Sequence, residues 1–384
     1  MQILIVGLST RAIAESAVQS GYDVVTLDYF GDRDQRAIVR NYALQRDFDL
    51  PFSPQALLEA SHELQFDAIV FTSSLENHPE VVEELGRGRR LLGNPPSVLR
   101  EVRDWSKLRA VCDVEEIPSP TTLLPGEEKE ADPEISWLRK PVRSGGGHDV
   151  AVWSGQSLDQ VHVLQERLEG RPASAAFVAD GRRSVLIAVT EQLIGREALG
   201  ARGYTWCGNI FPLTLPSSEG VNDVLRSVER TVERLTRRFG LRGVNGMDFV
   251  VADGPDGRPQ PLLVEVNPRY TASMELVERA YGLSMFDLHV RSFDGELPAF
   301  SPGETLEHPG FHGKGILYAE RDVVMPRTDT WRSRGRRDIP FSGEEIETGH
   351  PICTVLAQGE SRDLCWSHLA AGAEGVRQEL SGDR

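Results

Sequence analysis

The sequence predicts an α/β and α+β fold, in which a Rossmann-like N-terminal α/β domain precedes a larger region of mixed sheet and helix. The chain opens with "ILIVG", a helical stretch and "DVVTLDYF", which is the β–α–β order of a parallel sheet. Hairpin signals follow in the middle of the chain, at Asp180-Gly181 and Asp256-Gly257. Because 384 residues exceed one ordinary hydrophobic core, we expect several domains.

The N-terminal domain is predicted to cover residues 1–95. "FDAIVFTSS" adds a buried strand and "HPEVVEELGRG" a helix, and the Pro/Gly density at "LGNPPS" marks the boundary. Beyond it we expect a helix at "DWSKLRAVC", a strand at "SWLRKPV", a glycine run and a short strand at "VLQERLEG". A long charged helix from Ser217 to Gly240 should end at its glycine. Strands, a basic loop and a final helix complete the chain.

Net charge limits the partners that the protein is expected to bind. The chain has 42 Lys and Arg residues against 58 Asp and Glu residues, a net charge of −16. Such a surface repels phosphate backbones and anionic membranes, so we expect neither nucleic acid nor a membrane as partner. No apolar run reaches the roughly 20 residues of a membrane helix, and no signal peptide is recognisable. Four cysteines without a disulfide-scaffold spacing favour a cytoplasmic protein.

The segment Asn245 to Pro268 predicts a β-hairpin with two different faces. If Asp256-Gly257 is the turn, the register follows by counting back from it. One face is then wholly apolar, with the pairs Met247–Val266, Phe249–Val264 and Val251–Leu262. The other face carries the pairs Gly246–Asn267, Asp248–Glu265 and Val250–Leu263. Acids that simply face solvent are the alternative, but the small and apolar residues of the second face argue against free exposure.

The facing pair of Asp248 and Glu265 predicts a metal site. Directly opposed residues have Cβ atoms about 4.5–5.5 Å apart, and like charges there are destabilising unless a cation binds or one acid carries a proton. Asn267 adds a neutral oxygen, which completes the kind of ligand set that Mg²⁺ (or Mn²⁺) prefers. Arg269 lies on the same face and can reach an anion held by the metal.

A lysine and a glycine loop precede this hairpin in the chain. Lys140 ends the predicted strand "SWLRKPV" and supplies a point charge for phosphate oxygens. Gly145, Gly146 and Gly147 follow in "RSGGGH", and such a backbone can close over phosphates and donate N–H groups to them. Neither feature is specific alone, so their value depends on their order along the chain.

This order resembles the ATP-grasp superfamily of carboxylate–amine and carboxylate–thiol ligases, over residues 104 to 300. "LLVEVNPRY" is similar to the most diagnostic signature of the family, and "GVNGMDFVV" to its preceding metal strand. The resemblance extends to the tyramine–glutamate ligase-like ATP-grasp enzymes of small-molecule and cofactor biosynthesis. It implies an ATP-grasp fold with a pre-ATP-grasp domain at 1–95, a small lobe at 104–175, a large lobe with the metal site at 176–300, and a C-terminal domain at 301–384.

The resemblance also implies roles for single residues. Lys107 and Lys140 would bind ATP phosphates, and adenine would lie against Gln165 and the backbone of Glu166 to Leu168. The metal ions would be held by Asp248, Glu265 and Asn267, with Arg269 and Lys140 as catalytic residues and Gly145 to Gly147 over the phosphates. Many members bind the ribose through an acid shortly after this hinge. Here Pro172 and Ala173 follow it, so Glu169 is the substitute that we consider.

The implied reaction joins a small-molecule carboxylate to an amine through an acyl phosphate, with release of ADP and phosphate; a homo-oligomer is possible. A nicotinamide-dependent oxidoreductase is one rival, but the turn at Gly7 lacks the G-x-G-x-x-G fingerprint. A protein that binds or senses ATP without turnover is another. Substrate contacts at Ser9 to Arg11 and at Ser73, Ser74, Glu76 and Asn77 are as plausible as ordinary turn residues.

Two further features favour structural roles. The set His350, Cys353, Cys365 and His368 has a spacing that zinc would accept, although the cysteines also fit a buried strand and a helix. The arginines of the basic loop, at 327, 332, 334, 336 and 337, read as a solvated surface that could instead bind an anionic substrate. Lys314 could approach the site from the C-terminal region.

Overall fold

The structure is a computed structural model that describes residues 1–300 and 310–382. Its first unit is a parallel sheet built from β1 (Ile3–Val6), β2 (Val24–Asp28), β3 (Arg40–Ala43), β4 (Ala68–Phe71) and β5 (Arg90–Leu91). The strand order is β3-β2-β1-β4-β5, that of a Rossmann-like sheet, as the sequence predicts. Its helices are α1 (Arg11–Gln19), α2 (Arg33–Arg36), α3 (Leu44–Asp47), α4 (Pro54–Ser61) and α5 (Pro79–Leu85).

A small antiparallel sheet follows two connecting helices, α6 (Pro96–Val102) and α7 (Trp105–Val114). Its strands are β6 (Thr122–Leu123), β7 (Trp137–Pro141), β8 (Ala151–Val152) and β9 (His162–Glu166), in the order β6-β9-β7-β8. Asp104 accepts hydrogen bonds from the backbone of Ser106 and Lys107 and so caps α7, which begins where the sequence predicts a helix.

A single large antiparallel sheet forms the rest of the core. Its strands are β10 (Arg171–Asp180), β11 (Ser184–Ile194), β12 (Trp206–Phe211), β13 (Arg242–Asp253), β14 (Pro259–Asn267), β15 (Phe311–Tyr318), β17 (Arg336–Arg337) and β19 (Pro351–Gly359). They lie in the order β14-β13-β10-β11-β12-β15-β19-β17. The short strands β16 (Val323–Val324) and β18 (Glu345–Ile346) pair separately.

The helix α8 (Ser218–Phe239) covers one face of this sheet. Apolar side chains three or four residues apart line its buried side, at Val224, Val228, Val232, Leu235 and Phe239. Ser217 caps its first turn, and Gly240 ends it in a left-handed conformation at φ 72°, as the sequence predicts. The opposite face packs against the N-terminal domain and against α9 (Met274–Tyr281) and α10 (Met285–Ser292). The last helix is α11 (Arg362–Ser381).

Two of the expected domain boundaries do not coincide with breaks in hydrogen bonding. The boundary between residues 175 and 176 falls inside β10, and the one between 300 and 301 separates strands that belong to the same large sheet. Composition along the chain does not reveal which distant strands pair. The boundaries predicted from the sequence therefore separate strands that belong to one sheet. The limits of the four predicted domains stay predictions.

None of the helices in residues 1–300 and 310–382 combines the length and the apolar character needed to cross a membrane.

Candidate active site

The hairpin of β13 and β14 brings Asp248 directly opposite Glu265, in the register that the sequence predicts. Gly246 faces Asn267 in the same register. Both acids lie on the face of the large sheet away from α8, since their neighbours Met247 and Val266 pack in the α8 core. The confrontation of the two carboxylates is therefore confirmed.

Beyond these residues the predicted register is wrong by one position. A bulge after Asp248 shifts the pairing, so that Phe249 faces Leu263 and the predicted pairs Phe249–Val264, Val250–Leu263 and Val251–Leu262 do not form. In the shifted part Val250 faces Leu262 and Val251 faces Pro261. The Leu263 amide instead donates to the Pro118 carbonyl at 2.7 Å. Pro261, which faces Val251, has no N–H group to donate to the strand ladder. The bulge leaves the pairing of Asp248 with Glu265 and of Gly246 with Asn267 intact.

Electrostatics of the pair follow from burial and from two nearby cations. Burial and the charge of Glu265 raise the pKa of Asp248 to about 7. Burial also raises the pKa of Glu265, but Arg103 and Lys140 outweigh it and leave that pKa lowered. A guanidinium nitrogen of Arg103 lies 3.6 Å from Glu265. Without a metal ion, a proton on Asp248 thus relieves the repulsion near neutral pH.

Asn267 and Arg269 continue the same face. The Asn267 amide nitrogen donates to Asp248 at 3.0 Å, and its oxygen accepts from Arg269 at 3.3 Å. Arg269 Nε donates to Glu76 Oε1 at 2.7 Å, which ties the hairpin to the loop after β4. The second oxygen of Glu76 is buried and, within the described residues, accepts no hydrogen bond. Glu76, considered above as a substrate contact, is thus a partner of Arg269.

The donor set fits a hard cation. Two carboxylates and an amide oxygen, once the Asn267 amide is turned over, supply part of an oxygen shell that phosphate oxygens and water complete for Mg²⁺. Across residues 1–300 and 310–382, no group of three His, Cys, Asp or Glu side chains is arranged to hold a metal. The zinc alternative therefore finds no support, and burial raises the pKa of both Cys353 and Cys365.

Lys140 faces the acids from the small sheet. Burial lowers its pKa, while Glu265 and Asp248 oppose that shift, which places all three groups in one electrostatic environment. Its ammonium donates to Gln165 Oε1 at 2.9 Å and lies 5.1 Å from the centre of the Trp105 ring. The cation of the small sheet and the anions of the large sheet are arranged to hold a charged group between them.

The hinge residues lie at the end of β9. Gln165 is buried and also donates to Thr122 at 3.3 Å, so its side chain positions Lys140. The Glu166 carboxylate accepts from the backbone of Thr121 at 3.1 Å. Leu168 is half-buried and Glu169 is exposed, in the segment that leads into β10. The roles expected for Gln165, Glu166, Leu168 and Glu169 in nucleotide binding stay predictions.

The glycine loop hydrogen-bonds to the large sheet on one side, and to the N-terminal domain and the connection after it on the other. The Gly146 carbonyl accepts from the backbone N–H of Trp206 at 2.9 Å. The carbonyl of Ser144 accepts from Asn77 and from Arg103, each at 3.4 Å. Gly147 has φ +74°, and a Cβ there would overlap the carbonyl oxygen of Tyr204. The loop is thus held beside Arg103, whose guanidinium also lies 3.6 Å from Glu265.

Lys107 lies apart from the cluster around Asp248 and Glu265, whereas Arg103, which the sequence did not predict, belongs to it. Lys107 is half-exposed on α7 and pairs with Glu101 at 3.2 Å, so the structure does not bring it into this cluster. Arg103, which the sequence analysis missed, donates to Asn77 Oδ1 at 2.9 Å and to the carbonyl of Val266 at 3.0 Å. Nothing in the stretch around Arg103 marks it, because its contacts come from three distant segments.

The comparisons with known proteins agree with this geometry. Residues 105–273 match the family model of the ATP-grasp domain. This part of the chain is an ATP-grasp domain. The predicted family and the predicted fold are confirmed, and the family supports an ADP-forming ligase that uses ATP and Mg²⁺.

Two relatives that match this chain are each less than 25% identical to it. An uncharacterized protein of Methanocaldococcus jannaschii is 22% identical over 95% of this chain and 90% of its own length. The carbamoyl phosphate synthase large chain of Deinococcus radiodurans is 23% identical over 62% of this chain, but that match spans only 23% of the synthase.

Solved structures show the same fold across almost the whole chain. The biotin carboxylase domain of Hydrogenobacter thermophilus 2-oxoglutarate carboxylase, solved with MgADP, ADP and bicarbonate, has a TM-score of 0.72 at 14% identity, covering 97% of this chain and 89% of that one. An ADP complex of N5-carboxyaminoimidazole ribonucleotide synthetase has a TM-score of 0.67 at 14% identity, covering 99% and 97%. The ATP-grasp arrangement therefore includes the flanking N-terminal and C-terminal parts.

Asp248→Asn is expected to stabilise the metal-free protein. A carboxyl whose folded pKa is raised above its unfolded value costs stability as pH rises between the two values, here from about 4 to about 7, and the cost is complete above that window. We expect a gain on the order of 1–3 kcal/mol at pH 8 and a smaller one at pH 5, by thermal or urea unfolding in EDTA. Asp253→Asn, at an exposed position of the same strand, is the control. An equal gain in both variants, or none at pH 8, contradicts the raised pKa of Asp248.

Gly147→Ala is expected to release the glycine loop, because the added Cβ meets Tyr204 and the positive φ disfavours alanine. Trypsin should then cleave faster after Arg143, an exposed residue at the start of the loop. Gly145→Ala is the matched control, since a Cβ there has no neighbour within 4 Å among the described residues. Unchanged cleavage in Gly147→Ala would contradict the docked arrangement.

Proposed function

We propose that the protein is an ATP- and Mg²⁺-dependent ligase that joins a small-molecule carboxylate to an amine through an acyl phosphate. The observation that carries this proposal is the Asp248–Glu265 pair, held face to face with Lys140 on the opposite lobe. A repulsion of this kind is retained only where a divalent cation or a proton relieves it. In an ATP-grasp domain, the divalent cation would arrive with the nucleotide.

Each residue would act through charge and position. Asp248, Glu265 and Asn267 would hold Mg²⁺, which neutralises the charge that builds up on the phosphoryl group during transfer. Lys140 would contact phosphate oxygens from the small sheet, and the backbone N–H groups of Gly145 to Gly147 would cover the same chain and exclude water.

Arg269 is positioned to stabilise the transferred phosphoryl group. Its guanidinium is adjacent to Asn267 and paired with Glu76, so an incoming phosphate would exchange one anionic partner for another. Glu76 is almost fully buried, and its free oxygen would then be available to the acceptor side of the reaction. The γ-phosphoryl group would move to the substrate carboxylate, and the amine would displace phosphate from the resulting acyl phosphate.

Lys107 would contact the nucleotide only after a rearrangement of its side chain. Its side chain is half-exposed and bound to Glu101, so a contact with phosphate requires it to leave that ion pair. Such a surface pair contributes little to stability, about 0–1 kcal/mol, and can exchange for a phosphate when nucleotide binds. We retain Lys107 as a nucleotide contact on this basis. Small-molecule substrates, a possible homo-oligomer and a cytoplasmic location belong to the same proposal.

The direct test is a screen of acids and amines for ADP formation, followed by mass analysis of the product. Ligation predicts phosphate release that requires an acid and an amine together, and a product mass equal to their sum less water. Release that no acid–amine pair stimulates would favour a protein that only binds ATP. A change in NADH absorbance with a candidate substrate would instead favour the oxidoreductase rival.

Glu265→Gln is expected to fold and to lose Mg²⁺-dependent ATP turnover by a factor of about 100 or more, since it removes a charge from the metal site. Turnover is measured as ADP release over a range of Mg²⁺ concentrations, with folding checked by circular dichroism. Glu229→Gln, at an exposed position on α8, is the control and should match the unmodified protein. Full activity in Glu265→Gln would end the metal-site proposal.

Lys140→Ala is expected to weaken nucleotide affinity about tenfold or more, the usual effect of losing a charge-assisted hydrogen bond. Fluorescence titration with a labelled ADP measures this. Lys129→Ala, an exposed lysine of the same lobe, is the control. If both variants bind ADP as tightly as the unmodified protein, Lys140 does not contact the phosphates.

A further inference from the structure

A second cluster of charged residues lies where the N-terminal domain, α9 and the C-terminal part of the chain meet. At its centre is Arg11, which is 1% exposed. Its guanidinium binds Glu275 through two hydrogen bonds of 2.6 and 2.8 Å, and Asp338 through two of 2.8 and 3.1 Å. A contact of 3.2 Å to Glu15 completes the set. Arg11 is therefore saturated by the protein's own carboxylates and acts as an anchor between three segments.

Three more arginines depend on the same acids, at longer distances. Arg279 lies 3.3 Å from Glu275. Arg337 and Arg332 lie 3.8 and 4.0 Å from Glu15. We call Arg279, Arg332 and Arg337 the arginine trio. The side chains of the trio are 33%, 46% and 14% exposed, respectively, so an anion from solvent can reach them.

In this region the cationic side chains outnumber the acidic side chains that contact them. The cations are Arg11, the trio and Lys314, whose ammonium is 2.7 Å from Glu275 and 3% exposed. The acids in contact with them are Glu15, Glu275 and Asp338, with Asp34 at 4.0 Å from Arg11. Burial raises the pKa of Asp34 and of neighbouring Asp32. Five cations therefore face four acids in contact with them, a local concentration of positive charge in a chain of net charge −16.

Arg337 has the most buried side chain of the trio. Its Nη1 donates only to backbone carbonyls, of Arg332 at 3.2 Å and Arg336 at 2.8 Å. Its Nε is buried, lies 3.8 Å from a carboxylate oxygen of Glu15 and makes no hydrogen bond among the described residues. Burial, and then repulsion by Arg279 and Arg11, lowers the pKa of Arg337, while Glu15 and Glu275 oppose that shift. A buried donor without a partner, repelled by its neighbours, is the state expected of a site that receives an anion.

A cavity of about 230 Å³ opens beside Arg279 of the trio. Arg279 and Leu276 of α9 form one wall. The floor carries His312 and Gln358, which face each other on β15 and β19 and hydrogen-bond at 3.2 Å, together with Leu356. A cavity with apolar walls, an arginine and an amide suits a small organic anion.

Strand register connects this cavity to the rest of the cluster. Lys314 pairs with Leu356 of the floor and lies two residues from His312, on the same face. Arg337 pairs with Thr354, two residues from Leu356 and again on that face. The arginines, the lysine and the cavity therefore lie on one surface. From β13 to β15 there are four strand-to-strand steps, so this surface is roughly 19 Å along the sheet from Asp248.

We propose that this surface is a second, anion-binding site, in which Arg279 and Arg337 hold a carboxylate or phosphate group of a small molecule seated in the cavity. The proposal deepens the ligase function and rests on it in one respect: the anion is either a distal group of the acceptor substrate or a separate effector. Carboxylate and phosphate share the bidentate geometry that arginine recognises.

Binding is tested without nucleotide, so the outcome does not depend on ligase activity. Calorimetric titration with inorganic phosphate and with glutarate is expected to show saturable binding to the full-length protein. Arg337→Gln and Arg279→Gln should each weaken it about tenfold or more. Arg291→Gln is the matched control, because Arg291 lies on α10 with its own acids, Asp287 and Glu296.

Folding of the variants does not obscure the result. Removing one of several mutually repelling arginines should leave the melting temperature unchanged or raised, and the partly exposed Arg279 carries the test if Arg337→Gln fails to fold. No saturable binding of either anion, or equal binding by Arg279→Gln, Arg337→Gln and Arg291→Gln, overturns the proposal.

Turnover distinguishes the two sources of the anion. Phosphate or glutarate that raises the KM of the acid or amine without changing kcat identifies the site as part of substrate recognition. A change in kcat that the arginine variants abolish identifies an effector site. Unaltered binding with no ADP formation by any acid–amine pair would leave the anion site standing and remove the ligase function.

Discussion

Two carboxylates held opposite each other on neighbouring strands are the constraint around which this protein is organised. Backbone pairing fixes Asp248 and Glu265 in place, so their repulsion cannot be relieved by moving apart. The protein leaves one acid with a raised pKa and surrounds the other with cations. Such an arrangement costs stability, and its oxygen donors fit the proposed divalent ion.

The cations that balance this pair come from different parts of the fold. Lys140 belongs to the small sheet, Arg103 to the connection before α7, and Arg269 to the end of the hairpin itself. Each is also bound elsewhere, to Gln165, Asn77 and Glu76 respectively. Three separate segments thus each contribute one cation that also has a second partner.

Because the chain carries a net charge of −16, clusters of cationic side chains stand out in its structure. One cluster surrounds the carboxylate pair and another surrounds Arg11. Both lie on the side of the large sheet away from α8. In the first, the cations surround the buried pair of Asp248 and Glu265. In the second, Arg11 is saturated by carboxylates, while the Nε of Arg337 makes no hydrogen bond among the described residues.

The sequence by itself determined the local features: the parallel order of the first strands, the limits of α8, the hairpin, and the confrontation of Asp248 with Glu265. These follow from residue periodicity, caps and turns, which act over a few residues. Tertiary structure alone decided that Arg103 and Glu76 join the site, that Lys107 stands apart, that the ladder shifts after Asp248, and that β15 and β19 extend the large sheet. Those outcomes depend on contacts between segments far apart in the chain, and no local pattern encodes which distant groups will meet.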